Sequence, residues 1–279
     1  MPELPEVQTI VNDLNQNIKG ETISRFWSDW NKGIKISLSK FKKKNKNAKI
    51  VDAARIGKHI IIHLDNNYSI IIHLKMTGHL LYKRKNLDSP IFQERVNNYV
   101  HHIFYFISGN TLEFSDLRKF GWLNLVPTKN VNEQKSIKKL GIDALLLTSI
   151  KFKNLINKYH KAKIGIFLLN QDIISGIGNI YRSEILFDAR INPKKLNSKL
   201  SNVEVENILI STKKILKKAI KLRGTTDSDY RDTKGESGKF QTQLKVYRKE
   251  NQPCVACAKI ITKEKLAQRS VFYCQSCQK

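Results

Sequence analysis

The sequence predicts an α+β protein of several domains: a β-rich N-terminal part led by one helix, a helical middle, and a small cysteine module at the end. Three observations carry this. The runs HIIIHL (59–64) and SIIIHL (69–74) flank DNNY (65–68), and HHIFYFI (101–107) and TLEF (111–114) flank SGN (108–110); apolar runs bounded by turn formers read as hairpins. From about residue 130 the apolar residues recur three and four apart, the helical period. All four cysteines lie after residue 253, in two Cys-x-x-Cys pairs.

Taken in order, the chain opens MPELPEV, and Val7, Ile10, Val11, Leu14 and Ile18 follow helical spacing up to a stop at Gly20. Pro5 suits the first helical position, where its missing N–H costs nothing. Glu6 falls in the first turn, on the favourable side of the helix dipole. Residues 21 to 126 then read as strands of a β-sandwich, with the repeated IIIHL runs as paired strands of one sheet. VPTKNVNEQK (126–135) reads as a linker. The segments KSIKKLGIDAL, KFKNLINKY and VEVENILISTKKILKKAIKL are expected to be helical. Residues 223–240 form a long Gly-, Asp- and Ser-rich loop, a kind that is usually functional or mobile. The expected domains are therefore 1–130, 131–225, a loop region 226–243 and a cysteine module 244–279.

Fifty Lys and Arg against 24 Asp and Glu leave a formal charge of +26. An excess of that size in a folded chain favours a polyanionic partner such as nucleic acid, although a Lys-, Asn- and Ile-rich genome accounts for part of it. Forty-one per cent hydrophobic residues argues against wholesale disorder. No run of 18 apolar residues occurs, so no membrane partner is expected. The N-terminus lacks the basic-then-apolar layout of a signal peptide. A soluble cytosolic protein is the expectation.

In a reducing compartment, Cys254, Cys257, Cys274 and Cys277, with sixteen residues between the pairs, read as a four-thiolate zinc site rather than two disulfides. A closed sulfur shell leaves no place for substrate, so the ion is structural, and no organic cofactor is expected. Between the pairs lie two short strands around a polar tip, where Arg269 is within reach of a phosphate. ISGIGNIYRSE (174–184) places small residues ahead of a helical run, as phosphate-binding turns do. HLKMTG (73–78) and DLRKFG (116–121) place Met76, Arg118, Lys119 and Phe120 in loops, where apolar residues can wedge into a base stack. Taken one at a time, a packing turn or an ordinary core residue explains each of these as well.

Together these motifs, in this order, resemble the bacterial formamidopyrimidine-DNA glycosylases from end to end. The resemblance implies an N-terminal β-sandwich, a helix–two-turn–helix domain and a zinc-finger β-hairpin. It implies a base-excision repair enzyme, a DNA glycosylase with abasic-site lyase activity, acting as a monomer on duplex DNA that carries damaged bases or abasic sites. Bacterial cytoplasm is the implied location, with the nucleoid when DNA is bound.

The resemblance also assigns roles. Removal of Met1 leaves Pro2 with a secondary amine that attacks C1′ of the damaged nucleotide, expels an oxidised purine and forms an iminium. An amine must be neutral to attack, and an α-amino group starts from a pKa of about 7.7–8.0. A helix N-terminus and a lysine nearby lower it, while Glu3 and Glu6 act the other way. Glu3 is the acid that opens the sugar ring, Glu6 positions the site, and Lys58 assists proton transfer or holds a phosphate. β,δ-Elimination then cuts the strand, with Arg269 gripping phosphate. Met76, Arg118 and Phe120 fill the hole left by the flipped base, His73 and Asn179 contact phosphates, and the 223–240 loop covers an oxidised purine.

Three departures stand out. Lys119 replaces a common arginine and loses its bidentate fork. Gly165 stands where many relatives carry lysine, with Lys161 and Lys163 near enough to take its place. Tyr99 stands near a common DNA-contacting histidine. The rival readings are the endonuclease VIII branch, which prefers oxidised pyrimidines, and a non-catalytic zinc-finger DNA binder. The LPEV start, the Met/Arg/Phe trio and the long loop oppose the first, and the Pro2–Glu3 terminus opposes the second.

Overall fold

Helix α1 (Leu4–Asn17) begins one residue earlier than the spacing suggests, so Pro5 is its second residue and Glu3 its N-cap. The computed structural model describes residues 1–86 and 89–279. They divide into two compact units, 1–138 with 222–241, and 139–221 with 242–279. The long 223–240 loop thus belongs with the N-terminal sheets.

The first unit continues through β1 (Ile23–Ser28), α2 (Leu38–Asn45), β2 (Ile50–Ile56), β3 (His59–Leu64), β4 (Tyr68–His73), β5 (His79–Lys83), β6 (Val100–Phe106), β7 (Thr111–Ser115) and β8 (Trp122–Pro127). These form two antiparallel four-stranded sheets, ordered β1-β6-β7-β5 and β2-β3-β4-β8. The two IIIHL runs do pair, with Ile60 opposite Ile72 and Ile62 opposite Ile70. Successive strand residues face opposite ways. Ile60, Ile62, Ile70 and Ile72 enter the shared core with Phe104, Phe114 and the apolar face of α1, whereas Ile61 and Ile71 point outward. The outer face is covered in turn by Val126, Val131 and Ile137, from the end of β8 onward through α3 (Lys135–Lys138). Cover on both faces explains the near-continuous isoleucine run. It also shows the 126–135 stretch packed onto a sheet rather than free as a linker.

Two expectations fail here. Helix α2 interrupts the stretch read as strands: its lysines hide the period, and only Phe41 and Asn45 turn inward. In KSIKKLGIDAL, only Lys135–Lys138 is α-helical. Gly141 lies against the backbone of Ile173, where an added Cβ would stand 2.1 Å from its carbonyl oxygen. The chain then leaves the helix for β9 (Ile142–Asp143).

The second unit carries α4 (Ser149–Lys158), α5 (Ile164–Phe167), β10 (Ile174–Ser175), α6 (Asn179–Asp188), α7 (Asn202–Lys221) and the hairpin β11 (Thr262–Leu266) and β12 (Arg269–Tyr273). Strands β9 and β10 pair in parallel. The hairpin closes with Leu266 opposite Arg269, and Ala267 and Gln268 both have positive φ (47° and 62°), as a two-residue turn of the mirror-image type requires. Among the described residues no helix is long and apolar enough to cross a membrane.

Candidate active site

Pro2, Glu3 and Glu6 are buried at the start of α1. Glu6 Oε2 accepts the Glu3 N–H at 2.7 Å, closing a capping box, and Glu6 Oε1 accepts the Thr225 N–H at 2.7 Å. One carboxylate, 1 % exposed, therefore holds both the chain's first turn and the stem of the 223–240 loop. Gly224 allows the approach: its φ is +82°, and an added Cβ would stand 2.7 Å from Glu6 Oε1. Backbone bonds from Lys239 N–H to the Leu222 carbonyl and from Phe240 N–H to the Gly224 carbonyl close the loop, and side chains hold the rest of it. Arg223 donates to Asp13 Oδ2 at 2.5 Å and to Asp232 Oδ2 at 2.6 Å, and Thr233 Oγ1 donates to Asp13 at 2.8 Å. Asp232 Oδ1 accepts from the N–H groups of Lys234 and Glu236.

Lys58 is buried in the turn between β2 and β3. Beside it, His59 and His73 meet edge to face at 4.7 Å, and both lie against Trp122. His73 Nδ1 accepts the Lys75 N–H at 3.0 Å, so the ring proton sits on Nε2. Burial, then His59, Lys75 and Lys58, push His73 down to about 2. His59 falls to about 4 by burial, against its hydrogen bond to the Ile56 carbonyl. His102, stacked on Trp30, is likewise lowered by burial to about 4. His73 is therefore a neutral hydrogen-bond donor, suited to a phosphate at any physiological pH.

These rings are neutral when folded and take up a proton on unfolding below pH about 6.5. Their stabilisation is full above that value. It is lost as pH falls, through about 4 for His59 and His102 and about 2 for His73. The unfolding free energy is expected to fall between pH 7 and 5, by at most about 1.4 kcal/mol per pH unit for each ring, and the denaturation midpoint with it. His102→Gln should flatten the profile; an unchanged profile in that variant would contradict the assignment.

Met76 and Phe120 are 41 % and 50 % exposed, so neither is a core residue. Arg118 joins them: its Nη1 lies 3.4 Å from Met76 Sδ and its guanidinium 4.8 Å from the Phe120 ring centroid. Asp116, fully buried, anchors both loops by accepting from the Thr77 hydroxyl and from the N–H groups of Arg118 and Gly121. Lys119 is exposed and has a positive φ of 53°. Tyr99 lines a cleft of about 320 Å³ with Thr77, Arg95, Leu117 and, from the long loop, Asp229.

In the second unit Asn179 is the first residue of α6. The fully buried Arg182 donates to Asn179 Oδ1 and to the Ser270 carbonyl, both at 2.7 Å, which sets Asn179 beside the strand that begins at Arg269. Arg269 and Lys161 are exposed. Gly165 has no room for a lysine inward: an added Cβ would stand 2.8 Å from the Pro193 carbonyl oxygen. Glu184, buried, accepts N–H groups of Lys245, Val246 and Tyr247 and so fixes the approach to the cysteine module. Sequence reasoning missed Asp116, Arg182 and Glu184. For Arg182 and Glu184 the signal available was two charged residues inside an otherwise apolar helix, IYRSEILF.

The four cysteine sulfurs lie within 4.8 Å of one another, with Cys254 to Cys277 at 3.8 Å and Cys257 to Cys274 at 3.5 Å. Four sulfurs placed tetrahedrally about 2.3 Å from a zinc ion stand about 3.8 Å apart. The donor set fits one structural zinc.

Residues 1–123 match the Formamidopyrimidine-DNA glycosylase N-terminal domain, residues 140–231 the Formamidopyrimidine-DNA glycosylase H2TH domain, and residues 251–279 the zinc finger found in FPG and IleRS. The chain is 38% identical to the formamidopyrimidine-DNA glycosylase of Pelotomaculum thermopropionicum, covering 100% of this chain and 99% of that one. Its fold is similar to that of the Lactococcus lactis Fpg in complex with DNA containing an abasic site (TM-score 0.88, 30% identity, 99% of each chain). The same Lactococcus protein with a Fapy-dG-containing DNA gives a TM-score of 0.86 at 30% identity, again over 99% of each chain. Agreement runs along the whole sequence and follows the order of the sheets, the helices and the cysteine hairpin, and the chain belongs to the formamidopyrimidine-DNA glycosylase family.

Proposed function

We propose that this enzyme excises oxidised purines from duplex DNA through a covalent intermediate on Pro2 and then cuts the strand. Removal of Met1 frees the Pro2 amine, which adds to C1′ as the bond to the base breaks. Glu3 protonates the ring oxygen, and the opened sugar is left as an iminium on the proline nitrogen. The iminium withdraws electrons, so C2′ gives up a proton and the 3′ phosphate leaves. A second loss, of the 5′ phosphate, releases the sugar. Lys58 serves proton transfer near the amine, while His73, Asn179, Lys161 and Arg269 hold phosphates. Met76, Arg118, Lys119 and Phe120 occupy the gap in the stack, and Tyr99 lines the approach. The zinc, held by Cys254, Cys257, Cys274 and Cys277, supplies structure only.

The observation that carries this reading is the Glu6 carboxylate. It holds the helix that begins beside Pro2 and the stem of the long loop at once. A nucleophile fixed in this way loses little orientation entropy on reaction. The loop also reaches the cleft lined by Tyr99 through Asp229, consistent with a cover over a flipped base. The enzyme would act as a monomer in bacterial cytoplasm, and at the nucleoid when bound to DNA.

Borohydride trapping tests it. A covalent band on duplex containing 8-oxoguanine opposite cytosine, lost or much weakened in Pro2→Gly, is the expected result. Trapping on a dihydrouracil duplex alone would move the preference to oxidised pyrimidines. No trapped species on either duplex, with tight DNA binding kept, would leave a DNA binder without this chemistry.

A further inference from the structure

Eight lysines lie between positions 32 and 49, and no Asp or Glu occurs between Asp29 and Asp52. Helix α2 sits at the centre of this run. Phe41 and Asn45 are fully buried, which turns Lys40, Lys42, Lys43 and Lys46 outward, and all four are exposed. Among the described residues none of the four forms an ion pair. The helix dipole favours cations in the last turn of α2, by roughly 0.3–1 kcal/mol each. That accounts for Lys42, Lys43 and Lys44 but not for a run continued on both sides of the helix without one acid. A merely solvated face would carry both signs, since like charges at neighbouring helical positions destabilise it.

The position of the patch decides what it can bind. Strand β2 starts directly after Lys49 and ends two residues before Lys58. Seven strand residues span about 20 Å, and Lys44 of α2 lies over the Tyr68 ring at the start of β4. The α2 lysines and Lys49 therefore lie at the opposite end of β2 from Lys58, His59 and the rest of the candidate active site, whereas Lys35, bonded to the Leu123 carbonyl, belongs to the near end. A duplex seated at Lys58 leaves this surface free. Duplex DNA presents one negative charge per about 1.7 Å of axis, a spacing dense enough to meet several lysines of one exposed helix turn.

We propose that the α2 lysines form a second duplex-binding surface, which holds another DNA segment while the first occupies the active site. The enzyme can then pass between segments without dissociating into solution. This inference rests on duplex DNA being the substrate. It requires no contact between the patch and the reacting nucleotide.

The test uses the full-length zinc-loaded enzyme bound at saturation to a duplex carrying a stable abasic-site analogue, to which a second, undamaged fluorescent duplex is added. The wild type is expected to bind the second duplex with a steep salt dependence. In the quadruple variant Lys40→Gln, Lys42→Gln, Lys43→Gln, Lys46→Gln, the slope of log affinity against log salt should fall by about 0.9 for each phosphate contact removed. Glutamine matches lysine in helix propensity, so α2 should persist in the variant. Chase experiments give the second readout. Dissociation from the first duplex should quicken as unlabelled competitor duplex rises in the wild type, and become independent of competitor in the variant, with single-turnover excision unchanged. Equal second-duplex binding by both proteins would overturn the inference. So would a patch that binds phosphatidylserine vesicles but no second duplex. Failure of the wild type to bind even the first duplex would overturn the proposed function itself, and is read separately.

Discussion

Chelation of the zinc, or Cys274→Ser, is expected to unfold residues 244–279 and to abolish strand cleavage. Beyond the bonds that Glu184, Arg182 and the Ile191 carbonyl make to it, the module has a small core of its own: the hairpin buries Leu266, Val271 and Tyr273 in one cluster, with Ile166 packed against them. A segment of this size cannot build a self-sufficient core. Four thiols gathered within 4.8 Å are instead organised by the ion, and binding of structural zinc in comparable small modules supplies on the order of 10–16 kcal/mol of folding free energy. Loss of the hairpin takes Arg269 with it, and also the Ser270 carbonyl that receives Arg182. Arg182 would then be left buried with one acceptor fewer. The check is the amide spectrum of Val271 and Tyr273 before and after chelation, with cleavage of an abasic-site duplex followed in parallel. Persistence of the hairpin signals at full chelation would refute the structural role of the ion.

Glu6→Ala should lower stability by about 2–6 kcal/mol, because two buried N–H groups, of Glu3 and Thr225, lose their acceptor at roughly 1–3 kcal/mol each. It should also cut the rate of covalent trapping by about 100-fold, the penalty of a reacting group displaced by about 1 Å. Glu6→Gln offers a sharper comparison. One amide oxygen can still accept, but the NH2 group then faces an N–H donor, so only one of the two bonds survives. About half the stability loss is expected, provided the amide turns its oxygen to one partner. If Glu6→Ala unfolds too readily to assay, Glu6→Gln still reports on trapping. Wild-type trapping in both variants would show that the loop stem and the terminus are not coupled through this carboxylate.

What could be read from the sequence depended on how far apart the partners lie. Helix α1, the two hairpins and the cysteine hairpin rest on local periods and turn residues, and they occur where the sequence indicates. Helix α2 was hidden because its exposed face is nearly all lysine, leaving two inward residues to mark a period. The region after Lys138 was misread because the reason for leaving the helix, the Ile173 backbone against Gly141, is 32 residues away in sequence. The same applies to the supporting residues. The motif DLRKFG exposes Arg118 and Phe120 to inspection, but the role of its aspartate appears only when Thr77 is brought alongside. Arg182 and Glu184 stand as charges in an otherwise apolar helix, but what buries them is invisible locally, since their acceptors and donors come from Ser270 and from residues 245–247.

The Asp13–Arg223 ion pair joins residues 210 positions apart within one unit. During synthesis the N-terminal sheets are complete once β8 has left the ribosome, yet Asp13 and Glu6 still lack their partners until residues 222–241 emerge. At about 5–20 residues per second, the stretch from the end of β8 to residue 241 takes roughly 6–23 s. Throughout that interval Asp13 lacks Arg223 and Thr233, and Glu6 lacks the Thr225 N–H. The nascent chain therefore holds an unfinished terminus until most of the protein has been made, and on the proposed function it should be inactive until then. A fragment ending before residue 222 should share that defect permanently, however well its sheets are formed.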